Sequence, residues 1–158
     1  MASEVYAISK LGFQLLVDEE HLIQEFSQFS IKVPEGIFED GEKRRVTVEV
    51  KRIIGNMLPL DKGTQTRRKV WNRSTIVWPW KKTIRSAVEK AHPEIVRRYD
   101  IFAHYVVLLV PETLPSNKYN KLVKRATLEA SKYVEEIDTP KHVYLQFLLA
   151  PPEQFDRF

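Results

Sequence analysis

Hydrophobic positions recur along this chain at two periods, and the periods divide it into elements. Leu22, Ile23, Phe26 and Phe29 fall at the spacing of one helical face. Asp18 stands where a helix N-cap would, and Glu19 and Glu20 follow in the first turn, where the helix dipole favours acids. A helix over 18–29 is therefore expected. Upstream, residues 5–17 alternate loosely around Lys10-Leu11-Gly12 and predict a short strand or hairpin. Ser30 to Val33 predicts a short strand ended by Pro34. From Arg45 to Ile54 the period is two, with Val46, Val48 and Val50 on one face and Thr47, Glu49 and Lys51 on the other. Asp40-Gly41 ahead of it is a turn signal. Residues 55–66 read as a loop, and Lys69 to Trp78 as a further strand closed by Pro79.

The second half is patterned more strongly. Trp80, Ile84, Ala87, Val88 and Ala91 form a helical stripe, which Pro93 breaks or restarts. Phe102 to Val110 is an apolar run bounded by Pro111, the mark of a buried strand. Pro115, Ser116 and Asn117 start a long helix with the stripe Tyr119, Leu122, Val123, Ala126, Ala130, Tyr133, Val134 and Ile137. Val143 to Leu149 is another apolar run between Pro140 and Pro151. Two buried strands joined by a helix predict a right-handed parallel crossover. The expectation is an α+β fold, a single mixed sheet flanked by helices in the order α-β-β-α-β-α-β, with a C-terminal β-α-β unit.

Composition narrows the class. At 158 residues with no repeat or long linker, one domain over 1–158 is expected. Residues 150–158 form a short tail, either loose or docked through Phe155 and Phe158. The absence of cysteine excludes disulfides, thiolate metal sites and a thiol nucleophile. No basic segment followed by an apolar run opens the chain, and the longest apolar stretch is far short of the ~20 residues of a membrane helix. An intracellular, cytoplasmic location without membrane contact is the resulting expectation.

Charge changes the picture most. Residues 1–42 hold two bases against nine acids; residues 43–90 hold fourteen bases against three acids; residues 91–158 hold nine of each. Such a block predicts a polyanionic partner, most simply nucleic acid. Its densest part contains Arg67, Arg68, Lys69, Arg73, Lys81, Lys82 and Arg85, interleaved with Trp71, Trp78 and Trp80. Cations neutralise phosphates, and aromatic faces stack on bases. Helical phase puts Lys81, Lys82 and Arg85 on the solvent side and Trp80 on the apolar stripe. The block also reads as a solvated rim neutralised by the acidic N-terminal segment.

The candidate chemistry lies on the strand before the block. Residues two apart share a strand face, so Glu49-Val50-Lys51 sets a carboxylate beside an amine. Asp40, across a turn, offers a second carboxylate. Mg²⁺ takes hard oxygen ligands and needs only one or two carboxylates besides phosphate oxygens and water. The same residues also read as a solvated strand face with cross-strand ion pairs.

An acid followed on the next strand by acid-x-lysine resembles the PD-(D/E)xK nuclease superfamily. The resemblance implies that Asp40 and Glu49 are metal ligands, that Lys51 orients the attacking water, and that Glu20 or Glu25 supplies a helical acid. It covers residues 18–110 of an α-β-β-β-α-β core. Two departures stand out: Glu39, not proline, precedes Asp40, and a long loop follows Lys51.

Other chemistries lack their signatures. His21, His92, His104 and His142 show no metal-binding spacing, and His104 and His142 lie in apolar strands where a structural role fits. Five scattered glycines form no phosphate loop. The sequence thus implies a nucleic-acid-binding protein and candidate Mg²⁺-dependent nuclease, or else a non-catalytic binding or packaging subunit of a nucleoprotein assembly. A homo-oligomer, or docking to an acidic protein, is the remaining expectation.

Overall fold

A computed structural model describes residues 2–52, 79–136 and 142–154. Its elements are α1 (Ala2–Leu11), β1 (Gln14–Asp18), α2 (Glu19–Glu25), β2 (Gly36–Glu39), β3 (Arg45–Arg52), α3 (Pro79–Glu89), α4 (Pro93–Tyr99), β4 (Ala103–Pro111), α5 (Ser116–Glu136) and β5 (His142–Ala150), with 3₁₀ turns at Ser27–Phe29 and Pro152–Gln154. The five strands form one sheet in the order β1-β2-β3-β4-β5. β1/β2 and β2/β3 are antiparallel; β3/β4 and β4/β5 are parallel. The fold is therefore α+β around one mixed sheet flanked by helices, as the patterning implies, with β4-α5-β5 as its C-terminal β-α-β unit.

Local chemistry sets the boundaries. The Asp18 side chain accepts the His21 N–H at 2.8 Å and caps α2. Gly12, at φ +72°, ends α1 and returns its N–H to Ile8 O. Pro93 occupies the first turn of α4, where a missing N–H costs nothing, and His92 Nδ1 accepts the Glu94 N–H.

The first third departs from expectation. Residues 5–17 form α1 and then β1 rather than a hairpin, because Ala7 and Leu11 pack onto the sheet at helical spacing. Ser30 to Val33 is irregular, and the strand begins instead at Gly36. The element order accordingly gains α1 and β1 ahead of α2, β2 ahead of β3, and α4. The expected loop 55–66 and strand 69–78 lie outside the described residues.

Two layers cover the sheet. Val46, Val48, Val50, Ala103, Val107 and Leu109 pack with Ala7 of α1 on one face. On the other, Val106, Leu108 and Val110 pack with Ile84, Ala87 and Val88 of α3 and Leu122, Ala126 and Ala130 of α5. Leu22 and Phe26 of α2 join Ile37 and Ile95 of α4 at the β1–β2 end. β4 is an interior strand, buried from Ala103 to Val110 except at half-buried Tyr105, whereas β5, at the edge of the described strands, is half-buried along most of its length. The C-terminal segment continues into the turn at Pro152–Gln154, where Arg52 Nη1 donates to Gln154 O at 3.4 Å. No helix among the described residues is long and apolar enough to cross a membrane.

Candidate functional site

The middle of the polar face of β3 is withdrawn from solvent. Thr47 and Glu49 are buried and Lys51 is half-buried. The expected solvated face is thus overturned, because α3 and the residues after it cover this side of the strand. Polar groups are tolerated there only with partners. Thr47 finds His104: the Thr47 hydroxyl and His104 Nδ1 are 2.7 Å apart, and His104 Nε2 lies 2.8 Å from Ala87 O. The carbonyl can only accept, so Nε2 carries the proton and Nδ1 accepts from Thr47. Burial depresses the His104 pKa to about 4, against the opposing bond to Ala87 O. His104 is a neutral structural residue, in line with its place in an apolar strand.

Glu49 is less fully satisfied. It is 3% exposed. Its Oε2 accepts from Lys90 Nζ at 3.0 Å and lies 3.5 Å from Lys51 Nζ, while Oε1 is buried with no hydrogen-bond partner among the described residues. Burial raises the carboxyl pKa, and the ammonium groups of Lys90 and Lys51 oppose this without cancelling it. The acid and lysine two residues apart are therefore brought together, and Lys90, which the sequence pattern did not single out, joins them from the end of α3.

Asp40 is not brought to them. Its Oδ1 accepts the Glu42 and Arg44 backbone N–H groups, both at 2.9 Å, and its Oδ2 accepts from Arg44 Nε at 2.9 Å. Burial opposes ionisation, but these bonds and the guanidinium charge outweigh it and hold the carboxyl below its usual range. Asp40 N–H also pairs with Arg44 O. Arg44 precedes Glu49 by five residues, about 16 Å of strand at ~3.3 Å per residue. Five is an odd number, so the two carboxylates also point to opposite faces of the sheet. The physical reason is the Asp-Gly turn itself, which occupies three of the carboxylate's roughly four acceptor sites.

A different acid has its backbone against this part of β3. The Glu35 N–H donates to Val48 O at 2.8 Å, which sets its backbone against the residue preceding Glu49. Glu35 is half-buried between buried Pro34 and Gly36. The signal was present in the sequence as Pro34-Glu35, a proline followed by an acid, but the strand that begins after it was not anticipated. Nearby, a cleft of about 460 Å³ separates Ser30–Lys32, which lead into Glu35, from Glu89, Ala91, His92 and Pro93, which flank Lys90.

The remaining candidates are dispersed. Glu20 is exposed on α2. Glu25 is held by Arg98 at 3.0 Å and by the Tyr99 hydroxyl, at the far end of the β1–β2 layer. Burial and that bond push the Tyr99 pKa up to about 12. Lys82 is exposed, and Arg85 donates to Glu129 Oε2 at 2.7 Å and lies over the Tyr133 ring. Arg85 is thus engaged with α5 rather than simply solvated. Arg67, Arg68, Lys69, Trp71, Arg73 and Trp78, and the side chains of Trp80 and Lys81, lie outside the described residues. Among the described residues, no group of three or more His, Cys, Asp or Glu is placed to hold a metal. The donors present suit a hard cation held by a carboxylate or two and completed by phosphate oxygens and water, not a closed protein cage. Comparison with protein-family models, with curated proteins and with solved structures finds no match to this chain.

Proposed function

We propose that this protein binds nucleic acid and hydrolyses its phosphodiester bonds with a divalent cation, most simply Mg²⁺, at Glu49. One observation carries the reading: Glu49 Oε1 is a buried carboxylate oxygen without a donor among the described residues, beside two lysines. Leaving such an oxygen unpaired costs about 1–3 kcal/mol or more, which a purely structural strand position would avoid. Perturbed, incompletely paired carboxylates concentrate at reactive sites.

In this reading Glu49 and Glu35 hold the cation, and Glu35 takes the place first expected for Asp40. When bound, the cation polarises the phosphate and lowers the pKa of water. Lys51 contributes a half-buried ammonium on the same strand face, suited to orient the nucleophile and offset charge on the phosphate. Lys90 fixes the Glu49 carboxylate through Oε2 and leaves Oε1 available. The basic block from Arg67 to Arg85 supplies phosphate contacts. The Lys90–Glu49 pair also favours a second reading, a binding subunit without catalysis in a nucleoprotein assembly, in which the three charges simply lock α3 to the sheet.

The test incubates labelled single- and double-stranded DNA and RNA with the protein plus Mg²⁺ or Mn²⁺, and with chelator. Cleavage that requires metal and disappears in Glu49→Gln supports the nuclease. Metal-dependent cleavage that survives Glu49→Ala removes the site assignment, and binding without cleavage supports the second reading.

A further inference from the structure

Sequence segments were balanced in charge beyond residue 90, yet the fold sorts those charges onto surfaces. α5 carries Lys118, Lys121, Lys124, Arg125 and Lys132. The four lysines are exposed and Arg125 is half-buried. Between Ser116 and Val134 the single acid is Glu129, which is buried and bridged to Arg85 of α3. None of the five cations forms an ion pair among the described residues.

Their spacing is regular. At about 100° per residue, Lys118, Lys121, Arg125 and Lys132 share a strip about 60° wide, with Lys124 on its flank. Fourteen residues from Lys118 to Lys132 rise about 21 Å at ~1.5 Å each. That length matches about six phosphates of one DNA strand at ~3.4 Å each. The strip's position also fits. Arg85–Glu129 and the Tyr133 hydroxyl on Glu89 clamp α5 to α3. Tyr133, the neighbour of Lys132 in sequence, thus meets the end of α3 near which Lys90 meets Glu49.

We propose that the exposed face of α5 is a docking surface for the phosphodiester backbone of nucleic acid, using Lys118, Lys121, Lys124 and Lys132 as its contacts. This rests on the nucleic-acid reading above and adds a surface outside the 67–85 block. A protein partner would require a central apolar or aromatic anchor. Here Leu128 is the lone exposed large hydrophobic on the helix, and the strip is flanked by Asn117, Asn120, Thr127 and Ser131, all exposed hydrogen-bonding groups suited to phosphate oxygens.

The experiment measures binding of a labelled DNA duplex and of a single-stranded RNA, each about 20 nucleotides long so as to exceed the strip, over a salt series. It compares the wild type with a variant carrying Lys118→Gln, Lys121→Gln, Lys124→Gln and Lys132→Gln, and circular dichroism melts check that the variant folds. The expected result is at least a tenfold loss of affinity in low salt and a duplex salt slope shallower by about 3.6, from ~0.9 for each of four phosphate contacts. The duplex and RNA arms decide which nucleic acid the face prefers. A folded variant with wild-type affinity and slope overturns the proposal while leaving the nucleic-acid reading standing. A wild type that binds neither probe in a salt-dependent way overturns both. Labelled polyglutamate bound as tightly as the duplex, and lost equally in the variant, would instead assign the face to an acidic protein and overturn the proposal.

Discussion

Lys90 Nζ lies 3.0 Å from Glu49 Oε2, tying the residue after α3 to the middle of β3. Neither group has ready access to water, so each depends on the other. Removing one partner leaves the other buried and uncompensated. Lys90→Met is expected to lower unfolding free energy by about 3 kcal/mol, the low end for a broken buried pair, because Lys51 remains beside Glu49. Glu49→Gln added to Lys90→Met should recover part of that loss. Urea unfolding of the wild type and the two variants measures both. A Lys90→Met variant as stable as the wild type would show that the pair does not hold α3 to the sheet.

His104 makes stability depend on pH. Its folded pKa of about 4 lies below the ordinary 6.5, so the unfolded chain binds a proton there that the folded chain refuses. Stability from this group is complete above 6.5 and falls as pH drops toward 4. A shift of this size corresponds to about 3 kcal/mol. Denaturant titrations between these pH values should show the decline, and His104→Gln should flatten it. An unchanged slope in the variant would assign the pH dependence to other groups.

Asp40 should matter for folding and not for chemistry. Asp40→Ala removes three hydrogen bonds from the turn between β2 and β3. A loss of about 2 kcal/mol is expected, with any cleavage activity retained once the variant is folded. The depressed carboxyl pKa fixes the sign with acid: the contribution is complete above 3.8 and disappears as pH falls through the lower folded value. Activity lost from a stable Asp40→Ala variant would return Asp40 to the site.

Gly36 lies where β1 leaves no room for a side chain on β2. A Cβ there would lie 2.8 Å from Val17 O and 3.0 Å from Leu15 Cδ1. The Leu15 tip can rotate away, but the carbonyl belongs to the paired strand and must move. Gly36→Ala should therefore cost about 1–3 kcal/mol in a thermal or urea melt. Because Gly36 directly follows Glu35, reduced cleavage in this variant without loss of stability would tie the geometry of the β2 start to the site.

Much of the architecture was written in local pattern. The period-two run of β3, the apolar runs of β4 and β5, and the stripe of α5 each specify an element from neighbouring residues, and the parallel β4/β5 pairing follows from strand–helix–strand order. Asp18, Glu19 and Glu20 likewise announced α2. The first seventeen residues were illegible because α1 offers only a weak stripe whose burial depends on the sheet it meets. β2 was missed because four residues give too short a period to read.

The site divides along the same line. Sequence placed Glu49 and Lys51 on one strand face, since alternation is a local rule. It could not say that the face would be buried, which α3 decides by packing over it. It assigned Asp40 to the site and passed over Glu35, because only strand register sets the Glu35 backbone beside Val48 and Asp40 at the far turn. Lys90 entered for the same reason, through a contact across forty-one residues. Local spacing decides which groups share a face; which groups meet, and whether water reaches them, is decided by how distant segments pack.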